Sequence, residues 1–199
     1  MISADDALEH LREGNRRFVA GTSNIDEALS GARRAALVGG QSPLAVILAC
    51  SDSRVPVELI FDQGLGDLFV IRVAGNIVAP SQIGSVEFAA AQLGTQLVVV
   101  LGHSNCSAVE ATLKELAQDQ QQRSPNLRAI VDRIRPAIES LMSNDVSMRD
   151  AVAANVRQSV SRLQRGSQIL EQLIEADELA IIGAEYSIES GEVTFLDVS

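Results

Sequence analysis

Four short, almost wholly apolar runs constrain this sequence most: Leu44-Ala-Val-Ile-Leu-Ala-Cys50, Leu68-Phe-Val-Ile-Arg-Val73, Leu97-Val-Val-Val-Leu101 and Leu179-Ala-Ile-Ile-Gly183. Each has strand length and none alternates polar with apolar, so the strands are read as covered on both faces, as in a parallel sheet. Between them lie helical patterns. Ala4 to Ala20 is amphipathic, with Asp5 and Asp6 in its first turn, Arg16 and Arg17 in its last, and Gly21 as a stop. Ile25 to Leu37 predicts a short helix ended by Gly39 and Gly40, and Ser51 to Ile60 is polar, then weakly helical. Helices follow at Ser81–Leu93, Ser104–Gln120, Asn126–Met142, Ser147–Gln164 and Ser167–Glu175, with Pro136 expected to kink or split the third of these. Ser187 to Leu196 reads as a hairpin-like pair around Ser190-Gly191. Strands alternating with helices predict an α/β fold, a mainly parallel central sheet flanked by helices. At 199 residues the expectation is a single domain over 1–199, with an N-terminal helical arm over about 4–38.

Charge narrows the partners. Sixteen Lys and Arg against twenty-six Asp and Glu give a net charge of −10, and no basic cluster interrupts the acidity. Nucleic acid and anionic membrane surfaces are therefore excluded as partners. No apolar run approaches the ~20 residues needed to cross a bilayer. The N-terminus shows no apolar leader, which predicts a cytoplasmic location, or a periplasmic one if a leader was removed before residue 1.

The rare residues carry the chemistry. The chain has two cysteines and two histidines, too few for a disulfide framework. The first apolar run ends at Cys50, followed by Ser51-Asp52-Ser53-Arg54; the third leads into Gly102-His103-Ser104-Asn105-Cys106. Ligands of open parallel sheets bind beyond the carboxyl ends of strands, so Cys50, His103 and Cys106 are expected at one edge. Such a set suits Zn²⁺, catalytic if a fourth position stays open and structural if it is closed. His103 and Cys106, at i and i+3 near a helix start, are expected to point one way. Cys50, Asp52 and Arg54 share a face if their segment is extended. Two roles are open to Asp52: a fourth zinc ligand, or a carboxylate held by Arg54 that accepts a hydrogen bond from zinc-bound water. Taken singly, each residue has a plainer role, as a small buried hydrophobe, a core histidine or a structural ion pair. A thiol redox pair is a further reading. What argues for a site is that three of the four rare side chains meet at strand ends. His10 is expected at the surface.

Cys50-Ser-Asp-Ser-Arg54-Val and Gly102-His-Ser-Asn-Cys106 resemble the paired zinc motifs of the β-class carbonic anhydrases. The resemblance extends from Leu11-Arg-Glu-Gly-Asn-Arg-Arg-Phe18 to Gly-Glu-Val-Thr-Phe195-Leu, and is strongest from Gly40-Gln-Ser-Pro43 through Arg72-Val-Ala-Gly-Asn76. It implies a zinc-dependent lyase, a carbonate dehydratase that reversibly hydrates carbon dioxide to bicarbonate and a proton with a zinc-bound hydroxide. Implied zinc ligands are Cys50, His103 and Cys106, with Asp52 a conditional fourth ligand paired to Arg54 when the site is open. Gln41 is implied to hydrogen-bond substrate, Phe69 to line the CO₂ pocket, and the Ser107 N–H to stabilise charge on substrate oxygen. The resemblance also implies a homodimer or homotetramer whose N-terminal helices wrap the partner. Ser107 stands where the family usually has Gly. Ile47 stands where a bicarbonate-regulated subgroup carries Trp, and this chain has no Trp. Hydrolysis of COS or CS₂ and a permanently closed structural site are the rival uses of the same ligands. With His103 at the metal and His10 in the first helix, no histidine proton shuttle is apparent.

Overall fold

A computed structural model describes residues 2–23, 30–118, 124–141 and 146–196. Helix α1 (Ala4–Ala20) opens on Ser3, whose hydroxyl accepts from the Asp6 N–H, and closes on Gly21 in the left-handed region. Its inward face, Ala7, Leu11, Gly14 and Asn15, is buried. Asn15 is the anchor of that face: its Nδ2 donates to the carbonyls of Ile60 (3.1 Å) and Gly191 (2.9 Å), and its Oδ1 accepts from the Val193 N–H (2.9 Å). The apolar face of α1 therefore docks on its own protomer. Helix α2 (Gly31–Ala36) runs into a 3-10 turn over Leu37–Gly39. Residues 25–29 of the helix expected here lie outside the described residues.

The apolar runs are strands β1 (Ala45–Ala49), β2 (Leu68–Arg72), β3 (Leu97–His103) and β4 (Ala180–Tyr186), joined by β5 (Val193–Leu196). Among the described residues they form one five-stranded sheet of order β2-β1-β3-β4-β5. The first four are mutually parallel, while β5 pairs antiparallel with β4. Alternation sorts the inner strands by face. Ala45, Ile47, Ala49, Leu97, Val99 and Leu101 pack with Leu11 of α1 and with Val57 and Ile60 of helix α3 (Val57–Ile60). Val46, Leu48, Val98 and Val100 pack against α4 (Pro80–Leu93), α7 (Met148–Arg165) and α8 (Gln168–Glu175). Because both faces are covered, β1 and β3 have no polar side. At Gly102 a Cβ would lie 2.5 Å from Val156 Cγ2, so only glycine lets α7 close onto the end of β3. Helices α5 (Ser107–Gln118) and α6 (Pro125–Glu139), together with α7, supply Val109, Ile134, Ile138, Ala151 and Val152 to a third apolar cluster around Cys50 and Cys106.

Several expectations need correction. Pro136 does not split α6, which continues through it to Glu139. The hairpin is not internal to residues 187–196: β4 runs on to Tyr186 and pairs with Val193 across a connection that includes Ser190 and Gly191. Strand β3 likewise continues to His103, and α5 begins at Ser107 rather than at Ser104.

Candidate metal centre

Strand order reverses between β1 and β3, because β1 leads to β2 on one side and β3 to β4 on the other. Open α/β sheets bind ligands outside the carboxyl ends of the strands at such a switch point. Cys50 follows β1 there, and His103 ends β3. Ala49 pairs with Leu101, so the two chain ends leave the sheet side by side. The chain after His103 then turns at once. Ser104 donates its N–H to the Tyr186 carbonyl, Asn105 takes a left-handed φ of 56°, and Cys106 precedes α5 with its carbonyl accepting from Glu110. His103 and Cys106 thus converge through a tight turn rather than the helical spacing expected from sequence.

The ligand atoms of Cys50, His103 and Cys106 all lie within 4.8 Å of one another, and all three residues are buried. Both thiols are free. His103 is fully buried; its Nδ1 lies 2.9 Å from the Ser104 carbonyl, an acceptor only, so Nδ1 carries the proton and Nε2 presents a lone pair. That Nε2 has no hydrogen-bond partner. A buried, unsatisfied imidazole nitrogen facing two thiols is costly unless a cation completes it, and the donor set of two sulfurs and one nitrogen matches zinc. A hydrogen bond from Cys106 and the N–H groups of Gly75 and Asp52 pull the Cys50 thiol well down, against the opposing effect of burial. The bond with Cys50 and burial push Cys106 up, opposed by the Ala108 and Val109 N–H groups at the start of α5. One thiolate is therefore already favoured, and the helix end assists the second.

Asp52 is turned toward Arg54. Arg54 Nε donates to Asp52 Oδ1 (2.9 Å), Nη2 to Oδ2 (2.7 Å), and the Arg54 backbone N–H also to Oδ1 (2.9 Å). These donors hold the Asp52 carboxyl well below the usual carboxylate range. The segment is a turn closed by Val55 N–H on the Asp52 carbonyl (3.0 Å), not the extended stretch expected, so Arg54 folds back over Asp52. Asp52 Oδ2 remains 3.9 Å from His103 Nε2.

Residues 45–193 match the family model for carbonic anhydrase. The carbonic anhydrase of Mycolicibacterium smegmatis is 40% identical over 188 residues, covering 94% of this chain and 90% of that one. The chain belongs to the β-class carbonic anhydrase family. The solved structure of the β-carbonic anhydrase CcaA is 29% identical, with a TM-score of 0.75 over 96% of this chain and 88% of that one. A structure described with two tetrameric β-carbonic anhydrases of Sordaria macrospora, 24% identical, shares the fold with a TM-score of 0.71 over 82% of this chain and 85% of that one. Carbonic anhydrase catalyses reversible hydration of carbon dioxide to bicarbonate and a proton, and β-class members are zinc enzymes. Among the described residues, no helix of this carbonic anhydrase is long and apolar enough to cross a membrane.

Other groups stand behind the Cys50–His103–Cys106 cluster. Arg72 ends β2 and donates from Nε to the Cys50 carbonyl (3.0 Å) and from Nη2 to the Asp52 carbonyl (2.5 Å), clamping the loop that carries both. The Gly75 N–H points at Cys50 Sγ (3.3 Å) from a left-handed backbone with φ 68°. Asn155 Nδ2 in turn donates to the Gly75 carbonyl (2.8 Å), and Ser159 Oγ to the Asn76 carbonyl (3.0 Å). A charged residue closing an apolar strand was the visible signal for Arg72; nothing local marks Asn155, which lies eighty residues from its partner.

The other expected residues stand apart. Ser107 is exposed and begins α5 directly after Cys106. Gln41 is exposed and precedes β1, so the length of that strand, ~17 Å by its rise, separates it from the end at Cys50. Phe69 pairs with Val46 near the start of β1 and packs on Phe88, ring centroids 6.3 Å apart. Within one protomer neither joins the cysteines. His10 is exposed on α1, as expected.

Proposed function

We propose that this carbonic anhydrase hydrates carbon dioxide at the Cys50–His103–Cys106 cluster, with those three residues as zinc ligands. The observation that carries the assignment is the buried Nε2 of His103, left without a partner while Nδ1–H is engaged by Ser104 and two free thiols stand beside it. Zinc held there supplies a Lewis acid that lowers the pKa of water toward neutrality, an effect for which carbonic anhydrase is the standard example. Asp52, ionised and fixed by Arg54, accepts a hydrogen bond from the attacking water and aims its lone pair at carbon. With Asp52 on Arg54 the site is open to substrate; a turn of the carboxylate from Arg54 toward His103 closes it. Arg72 and Gly75 hold Cys50 and Asp52 in register, and the Ser107 N–H steadies charge developing on substrate oxygen.

Gln41 and Phe69 serve the site of a neighbouring copy, since their own strands hold them toward the opposite edge. That requires a homodimer or homotetramer, in keeping with the tetramers named for the Sordaria macrospora enzymes. The whole chain, 1–199, acts as one catalytic domain with its N-terminal segment of about 4–38 as an arm. Two buried free thiols suit the reducing cytoplasm.

The test is stopped-flow CO₂ hydration on protein of measured zinc content, wild type against Cys106→Ala. One zinc per chain and rapid hydration in wild type, with both lost in Cys106→Ala, support the assignment. Full zinc retention by Cys106→Ala overturns it.

A further inference from the structure

A cavity of about 350 Å³, separate from the metal centre, is lined by apolar Val78, Pro80 and Ile83 and by Arg133, Arg162 and Arg165. Three guanidinium groups around one cavity are unexpected in a chain of net charge −10. Several arginines elsewhere find carboxylates: Arg17 with Asp62, Arg33 with Asp67, Arg54 with Asp52, and Arg135 with Glu115. Among the described residues, none of the three cavity arginines has a carboxylate within 4.0 Å. Arg133 donates only to the carbonyl of Ala129 on its own helix (2.7 Å).

The cluster is held against its own electrostatics. Arg133 and Arg162 are half-buried, so their charges are only partly screened. Burial, then the like charge of Arg133, push the Arg162 guanidinium below its usual value, yet a guanidinium stays charged in proteins. The same cavity receives the start of α4, where Ala79 caps without any side-chain hydrogen bond and Pro80 begins the helix. The positive end of a fourteen-residue helix therefore adds to the three cations.

We propose that this cavity binds a phosphate group, with Arg133, Arg162 and Arg165 on its oxygens and Val78 and Ile83 beneath the organic part of a phosphomonoester. A phosphate monoester carries about two negative charges near neutral pH and presents several acceptor oxygens to forked guanidinium donors. A singly charged carboxylate or bicarbonate leaves most of the cluster uncompensated. Free phosphate and phosphomonoesters share the recognised chemistry, and the size of the cavity favours the ester.

Calorimetric titration of the zinc-loaded enzyme with phenyl phosphate, and separately with inorganic phosphate, tests this. Saturable binding at one site per chain is expected, weakened roughly tenfold or more in both Arg133→Gln and Arg162→Gln. Tighter binding of phenyl phosphate assigns the site to esters, and equal binding assigns it to free phosphate. Zinc content stays at the wild-type level in both variants. Without ligand, Arg162→Gln melts no lower than wild type, because a repelled, half-buried charge has been removed. Three results overturn the proposal: no saturable binding of either probe, binding unchanged in both variants, or a fall in oligomer size in Arg162→Gln without change in phosphate binding. The last would mean that the arginines hold carboxylates of a second copy.

Discussion

Replacing Gly75 with alanine probes how the fold holds Cys50, the proposed metal ligand. Gly75 occupies the left-handed region at φ 68°, ψ 22°, and its N–H reaches Cys50 Sγ at 3.3 Å. Left-handed backbone costs a residue with a Cβ about 1–2 kcal/mol. The added carbon would also lie 2.8 Å from Ile134 Cδ1 and 3.1 Å from Ala108 Cβ. Ile134 is fully buried, so its side chain has little room to retreat, and overpacking of this kind adds about 1–3 kcal/mol. The combined loss is about 2–5 kcal/mol, a sizeable fraction of the stability of an ordinary domain. For a chain of this size that corresponds to a melting point lowered by roughly 5–15 °C. Relief of the clash tilts the peptide that donates to Cys50, and loss of such a supporting bond weakens metal binding roughly 10–100-fold. Urea unfolding at fixed free zinc measures the first effect, and chelator competition the second. Asn155→Ala serves as a comparison, because it removes the donor to the Gly75 carbonyl without forcing the backbone. If Gly75→Ala matches wild type in both unfolding midpoint and zinc affinity, the reasoning fails.

Other perturbations separate the remaining parts. Arg54→Ala removes both side-chain donors from Asp52 and frees the carboxylate to turn toward the metal; CO₂ hydration is largely abolished while zinc stays bound, and unchanged turnover would sink the switch. Asn15→Ala leaves the Ile60 and Gly191 carbonyls and the Val193 N–H without their shared partner, a loss of about 1–3 kcal/mol read as a lower urea midpoint. Burial pushes the Glu185 carboxyl up, against Arg149 and Arg157. Its proton is held more tightly in the folded state, so its favourable contribution is present at acid pH and lost as pH rises through the folded value. Glu185→Gln should therefore stabilise more at about pH 8 than at about pH 5, and the reverse order in unfolding curves would refute this.

Much of the architecture was legible because buried parallel strands leave an unmistakable local pattern. Ala45–Ala49 and Leu97–Leu101 are apolar at every position, and the structure covers both faces of each. Helix α1 was equally plain, since its charges, cap and Gly21 stop agree with one another. The misreadings fall where tertiary pairing overrides local pattern. Gly102 and His103 look like the start of a turn, yet pairing with Glu185 and Tyr186 extends β3 through both. Asp52 and Arg54 look like alternate residues of a strand, yet the Asp52 turn brings one over the other.

The amino-acid sequence by itself determined the kind of sheet, the strand ends at which chemistry gathers, and the soft side chains of Cys50, His103 and Cys106 proposed as ligands. These follow from apolar runs and residue chemistry, which are local properties. Only the tertiary structure decided that Asp52 rests on Arg54 rather than among Cys50, His103 and Cys106, and that His103 turns a bare Nε2 toward the thiols. It also decided that Arg72, Gly75 and Asn155 hold Cys50 from behind, and that Gln41 and Phe69 stand away from it within one protomer. Hydrogen bonds spanning twenty to eighty residues, and the strand length between Gln41 and Cys50, are set by register and packing, which no local stretch of sequence records.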